Sequence, residues 1–501
     1  MLITDKKELE KYTTEKRFWQ GIPGIEVTKK GRIFSTFYSG EIDEEVGNYV
    51  VLLKSDDGVN FSEPIVAVYL EDHRCYDECI WIDPLGRLWL IWSVMMDHGV
   101  YGAICDDPDA DELQWSEPFF IGHDVMLNKP IVLSTGEWLF PINVWGERVW
   151  SWMPERRTDQ KEMLAYVYRT TDQGKTFEKL GGVDVPERAY DEHMVIELAD
   201  DRLMMLVRTM YGIGVSYSYD RGMTWSPGKD SGLGGPNARL HIRRLKSGRI
   251  LLVNHYEYQG RNNLTALLSE DECKTWKYKL LLDGRDNVSY PDATEDEMGN
   301  IYITYDRERA CGYRSLEASY QCAREILYAK IREEDIIAGK LVCPESKLKC
   351  VISKLGEYKG EPLPFKDKKR YKEMVPYFVK GTKEEIIDRF FRYYYREVKP
   401  SMTAEEHRCL DELLDQLDTV KDKEALVLDI VRLFFNAERN DKMQVDEEVR
   451  KIIMDHLDEE LTADEMAKML GVSKYYLYYR FKHITNITIE EYQKTLKAIH
   501  K

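Results

Sequence analysis

The 501-residue chain has no apolar run long enough for a helical membrane span, which needs about 20 consecutive residues. Its opening stretch, Met1 to Lys16, is charged and holds no apolar core, so no secretory leader is read. The nine cysteines are odd in number and follow no framework spacing. Cys75 and Cys79 have no His/Cys pair nearby to complete a zinc site. These absences exclude a disulfide scaffold and a structural zinc; a cytoplasmic protein with reduced thiols, no metal and no cofactor is expected. Basic charge is also short: the net charge of −18 argues against a surface that is nucleic-acid footprint throughout.

What the chain does have is a repeated phrase, Ser-x-Asp-x-Gly-x-Thr-Trp. It is complete from Ser218 to Trp225 and nearly so from Thr170 to Phe177. It returns from Ser269 to Trp276, with Cys273 in the glycine place, and from Lys54 to Phe61, with Lys54 in the serine place. A degenerate copy follows Asp107, at Trp115-Ser116-Glu117-Pro118. The aspartates, placed at Asp56, Asp172, Asp220 and Asp271, give spacings of 48 and 51 residues for the last two intervals. A period near fifty marks a stacked or radial repeat. In each phrase the Asp accepts hydrogen bonds from turn amides and the Gly supplies a positive φ, so the phrase closes a hairpin. Between the phrases recur Gly-Arg-hydrophobic strand starts, at Gly31-Arg32-Ile33, Gly86-Arg87-Leu88 and Gly248-Arg249-Ile250. Alternating runs and turns at this spacing predict a mainly β fold of six four-stranded blades, over about residues 17–340.

These phrases resemble the Asp-box repeats of the sialidase (neuraminidase) superfamily, and residues 1–340 resemble its six-bladed β-propeller. The resemblance implies a tyrosine nucleophile activated by a glutamate, a separate acid, and three arginines that clamp a sugar carboxylate. On this sequence the tyrosine matches Tyr290, in Ser289-Tyr290-Pro291-Asp292, and its partner matches Glu192. Two clamp arginines match Arg208 and Arg261. The third is absent: the N-terminal Arg-Ile-Pro motif reads Gly21-Ile22-Pro23 here, and Arg17 is the substitute within reach along the chain. The acid falls in the loop holding Asp43, Glu44 and Glu45, with Glu45 selected. Arg239, Asp292, His193 and Lys129, together with Asn128 and Asn237, are further polar residues expected to line the axial pocket. The partner implied is a small anionic sugar or glycan.

After Lys340 the pattern changes. Residues 341–382 read as a Lys-rich connector and 383–440 as a helical bundle, on the spacing of Ile386, Phe390, Tyr394, Leu410, Leu414 and Leu417. That bundle leaves a homodimer open. In 441–501, Leu461 to Leu470 forms an amphipathic helix, Gly471-Val472-Ser473 a turn with Ser473 as N-cap, and Lys474 to Lys482 a second helix. Ala467, Gly471, Ser473, Tyr476, Leu477, Phe481, Lys482 and Thr485 together resemble the AraC/XylS family of transcription regulators. The resemblance implies DNA contact through Ser473, Lys474, Tyr475, Tyr478, Tyr479 and Lys482. Residues 466–501 carry seven Lys/Arg against two Asp/Glu, which suits that role. Only one of the family's two helix-turn-helix units fits before Lys501. The expectation is therefore a sugar-responsive regulator in which a sialidase-like propeller binds, and can hydrolyse, an anionic sugar. The alternative is a cytoplasmic exo-glycosidase whose helical tail is vestigial.

Overall fold

A computed structural model describes residues 2–40, 44, 47–71, 73–95, 99–145, 163–309 and 323–355. In the C-terminal part it describes 383, 404–419, 426, 445–456, 459, 461–472, 474, 477–478, 481 and 488–500. The chain divides into two compact units, one made of residues 1–149 and 157–362 and the other including residues 363–501.

The first unit is a six-bladed β-propeller. Its first blade runs, from rim to axis, β1 (Leu2–Ile3), β5 (Val66–Val68), β4 (Tyr49–Ser55), β3 (Ile33–Gly40) and β2 (Trp19–Val27). Five further sheets of four antiparallel strands each, taken in chain order, span 74–123, 131–183, 188–230, 241–283 and 288–354. Their first strands are β6 (Arg74–Ile82), β10 (Ile131–Val132), β14 (Arg188–Glu197), β18 (His241–Arg244) and β22 (Val288–Glu295). Blades are covered on both faces, which is why a strand such as β7 (Leu88–Met95) is buried through successive residues rather than alternately.

The core lies between blades. Trp81 and Trp89 of the second blade meet Trp138 and Phe140 of the third, with Trp81 edge-on to Trp138 at 5.1 Å between ring centroids. Each such aromatic contributes about 1.5–3 kcal/mol by burial. Ring closure is polar: Gln20 Nε2 donates to Arg324 O at 2.8 Å, Arg324 Nη1 to Phe18 O at 2.7 Å, and Arg17 Nη2 to Ser353 Oγ at 2.9 Å.

The repeated phrases are the turns expected, and they also dock blade on blade. Asp220 Oδ1 accepts from Thr224 N at 2.8 Å while Ser218 Oγ accepts from Gly222 N at 2.8 Å. Asp172 and Asp271 repeat this with Thr176 and Thr275. Gly174 has φ 89°, and a Cβ there would fall 2.3 Å from the ring of Trp89 in the blade before. Gly174→Ala is therefore expected to lower stability by about 1–3 kcal/mol, read as a lower urea midpoint, because overpacking adds to the left-handed backbone.

Two expectations are corrected. In the first phrase the turn aspartate is Asp57 rather than Asp56. Asp57 Oδ1 accepts from Val59 N and Asn60 N, and Ser55 takes the serine place, whereas Asp56 pairs with Arg32 at 2.6 Å. The phrase is one residue short, so spacing alone misaligned it. The propeller also runs beyond 340: β25 (Lys347–Lys354) closes the sixth blade, its lysines facing out along the rim. That lysine-rich edge strand is what read as a connector.

In the second unit the described helices are α3 (Ala404–Asp415), α4 (Val445–Asp455), α5 (Ala463–Leu470) and α6 (Ile489–His500), numbered after α1 (Lys6–Leu9) and α2 (Glu333–Ala338) of the first. Thr462 and Glu465 form a capping box at the start of α5, and Gly471 ends it at φ 67°. Val449, Ile453, Leu461, Met466, Ala467, Leu477, Phe481 and Ile489 share one small core. No helix among the described residues is long and apolar enough to cross a membrane.

Candidate active site

Four inner strands carry the same irregularity. The ladders of β2, β6, β14 and β22 slip in register between Gly21 and Gly24, Tyr76 and Cys79, Asp191 and Met194, and Ser289 and Asp292. At each slip a non-glycine residue takes positive φ: Ile22 at 62°, Asp77 at 46°, Glu192 at 39° and Tyr290 at 57°. Such bulges re-aim a side chain, and strained backbone concentrates at functional sites.

Three of these residues are chemical groups, and two meet. Tyr290 Oη donates to Glu192 Oε1 at 3.0 Å. Arg208, on β15 (Leu203–Thr209), binds both: Nη1 lies 2.5 Å from Glu192 Oε1 and 3.0 Å from Tyr290 Oη. Its Nε donates to Asn237 Oδ1 at 2.5 Å. All three side chains are buried. Burial works against the Arg208 charge, but Glu192 and then Tyr290 outweigh it and raise its pKa. A guanidinium N–H and a carboxylate on one phenol oxygen can take its proton and stabilise the phenolate that remains.

Arg261 stands 5.3 Å from the Tyr290 ring centroid and donates from Nη2 to Asn237 O at 2.9 Å. Burial lowers its pKa; Tyr290 raises it, and Arg309 and Arg208 lower it further. Among the described residues no carboxylate pairs with it. Asp77 is buried with no hydrogen bond to its carboxyl among the described residues. Burial raises its pKa from 3.8 to about 7, with Arg74 opposing and Glu192 and Glu44 adding. The folded protein thus keeps this proton to about pH 7, whereas the unfolded chain loses it near 3.8. Stability contributed by the neutral acid falls as pH rises through that window. Asp77→Asn should therefore melt higher than wild type at pH 8 and match it near pH 4.

The remaining expected residues divide. Arg239, Asp292 and Lys129 lie in a buried ionic cluster that ties inner strands together. Lys129 Nζ is 2.8 Å from Glu26 and 3.1 Å from Asp292, and Arg239 Nε donates to Asn128 Oδ1 at 2.7 Å. His193 Nε2 donates to Tyr166 O at 2.6 Å; its pKa is lowered to about 4, first by burial. Arg17 does not join Tyr290: it binds Tyr12 O, Thr14, Gln20 and Ser353 where the ring closes. Glu45 lies outside the described residues. Its neighbour Glu44 bridges Arg74 at 3.0 Å and Arg309 at 3.5 Å. Of the residues expected to contact DNA, Ser473, Tyr475, Tyr479 and Lys482 lie outside the described residues; Tyr478 is described, and Lys474 Nζ meets Asp415 at 3.3 Å.

Arg309 and Asp77 were not found from sequence. Arg309 follows β23 (Ile301–Arg307), its guanidinium 4.2 Å from the Tyr290 ring centroid, ahead of any repeat landmark. Asp77 is marked only by its backbone.

A six-bladed propeller with a buried tyrosine–glutamate–arginine set on the first and second strands of its blades defines the class. Residues 31–303, more than half of the chain, match the BNR repeat-like domain, and the chain belongs to that family. It also resembles solved structures. One is a protein of unknown function from Dyadobacter fermentans, 17% identical, TM-score 0.46, covering 59% of this chain and 92% of that one. A Hadza microbial sialidase is 19% identical, TM-score 0.47, covering 58% and 64%. The NanB sialidase of Streptococcus pneumoniae is 15% identical, TM-score 0.47, covering 59% and 66%. The chain spans under two thirds of the length of these two sialidases. No curated protein matches it.

Proposed function

We propose that the propeller binds an anionic sugar and hydrolyses its glycosides, with Tyr290 as nucleophile and Glu192 as the base that takes its proton. The observation that carries this reading is Arg261, a half-buried guanidinium crowded by Arg309 and Arg208, whose hydrogen bond among the described residues goes to a carbonyl. Among the described residues no carboxylate pairs with this cation, and a bound carboxylate would supply that partner. Tyr290 attacks the anomeric carbon as Glu192 accepts its proton and the bond to the leaving oxygen breaks, with Arg208 holding the phenolate oxygen. Water then cleaves the sugar–Tyr290 bond, its OH going to the sugar and its proton to the acid, while Glu192 returns a proton to Tyr290. Asp77 fits the acid that protonates the leaving oxygen, since it keeps its proton to about pH 7 and shares the bulge position of Tyr290 and Glu192. Release of the aryl group from a panel of aryl sialosides and uronides tests the reading; an inert protein across the panel would remove it.

A second reading joins this site to the C-terminal unit, as a sugar-responsive DNA-binding regulator. Its support is the capped α5, the Gly471 turn and the burial of Leu477 and Phe481 in the same core. A shift of the gene's own upstream DNA that changes on adding the sugar would favour it; no shift at low salt would end it.

A further inference from the structure

Gly21 and Arg309 share one space. A Cβ at Gly21 would lie 2.6 Å from Arg309 Cδ and 3.1 Å from its Cβ, so only glycine lets this arginine run past β2. Beyond that crossing the guanidinium reaches the Tyr290 ring. Its course is fixed from both sides. Nη1 meets Asp306 Oδ2 at 3.4 Å and Nη2 meets Glu44 Oε1 at 3.5 Å. Asp306 is in turn held by the backbone N–H of Ile22, the residue after Gly21, at 2.9 Å.

We propose that Arg309 is a direct ligand of the anion bound beside Arg261, and that it enters the site through the side-chain space Gly21 leaves empty. Among the described residues, Asp306 and Glu44 take two of the five N–H donors of this guanidinium, which leaves donors for a ligand oxygen. Two carboxylates balance its charge, which makes it a geometric as much as a Coulombic ligand: it reads the planar fork of a carboxylate. The preferred ligand is then a sugar carboxylate that bridges Arg261 and Arg309 over the edge of Tyr290. The third clamp position is thereby filled from the sixth blade instead of the first. This inference rests on the reading of the pocket as an anionic-sugar site.

The test is calorimetric titration of the full chain with N-acetylneuraminate and glucuronate, each beside its methyl ester. Wild type should prefer at least one acid over its ester. Arg309→Ala and Gly21→Ala should each reduce that preference at least tenfold, the second by displacing the arginine. Their effects should not add, because Gly21→Ala has nothing left to displace once Arg309 is gone. Where Arg309→Ala does not fold, Gly21→Ala and Arg309→Lys decide, both keeping a cation for Asp306. Undiminished preference in these variants, alongside its loss in Arg261→Ala, would overturn the role of Arg309 and leave the pocket reading standing. A wild-type protein that binds no acid, or binds acid and ester alike, would remove the pocket reading itself and this inference with it.

Discussion

Replacing Tyr290 by phenylalanine is expected to reduce glycoside hydrolysis by on the order of 10³-fold while sugar binding stays within about threefold. The ring remains in place against Arg261 and Arg309, at centroid distances of 5.3 and 4.2 Å, so the pocket keeps its shape. Only the oxygen is lost. Glu192 and Arg208 stay paired to each other at 2.5 Å, so no buried charge is orphaned and the melting temperature should change little. A loss of kcat with KM preserved marks a group that acts in the transition state. Equal losses in affinity and rate would instead describe a tyrosine that packs against the sugar.

Arg261→Ala should act on the other parameter. Removing a half-buried cation that bonds a ligand carboxylate costs about 2–5 kcal/mol of affinity, or roughly 30-fold to several thousand-fold. The unliganded protein should not suffer in step. Among the described residues Arg261 has no carboxylate partner, and its hydrogen bond goes to Asn237 O. Deleting this half-buried charge removes repulsion from Arg309 and Arg208 together with the attraction of Tyr290 and Glu192, so the variant is expected to melt close to the wild-type temperature. Calorimetric titration against acid sugars, with a thermal melt of the same samples, checks both halves. A strong drop in stability with unchanged affinity would recast Arg261 as a structural residue.

Both variants test residues that sequence alone could place, because they sit at fixed steps from the repeated phrases. Tyr290 and Glu192 precede their blades' second strands, and Arg208 and Arg261 stand ahead of the phrases at 218–225 and 269–276. The period near fifty thus gave the blade count and an address for each of these side chains. Where the period was interrupted, the reading went astray. The one-residue deletion in the first phrase moved its aspartate from Asp57 to Asp56. The sixth blade's last strand, an edge strand with lysines on its outer face, lacked the apolar run of an inner strand. Arg17 is close in sequence to Gly21, yet sequence proximity did not carry it to Tyr290, because ring closure needed its guanidinium at Ser353. Arg309 could not be found by counting: its link to Gly21 is a contact across 288 residues of chain, made by an absent Cβ. Asp77 looks like any strand aspartate until its positive φ aligns it with Glu192 and Tyr290. Arg239, Lys129 and Asp292 were expected to line the axial pocket; what spacing could not show is that Lys129 and Arg239 both pair with Asp292.

Tyr290 is expected to form a covalent bond to an anionic sugar during turnover. Mass spectrometry of the peptide spanning Tyr290, from protein quenched in acid while it cleaves an aryl glycoside of such a sugar, measures this directly. A fraction of that peptide should be heavier by one glycosyl unit, the mass located on Tyr290 and absent from Tyr290→Phe. Continued aryl release with no adduct on Tyr290, and undiminished in Tyr290→Phe, would contradict it.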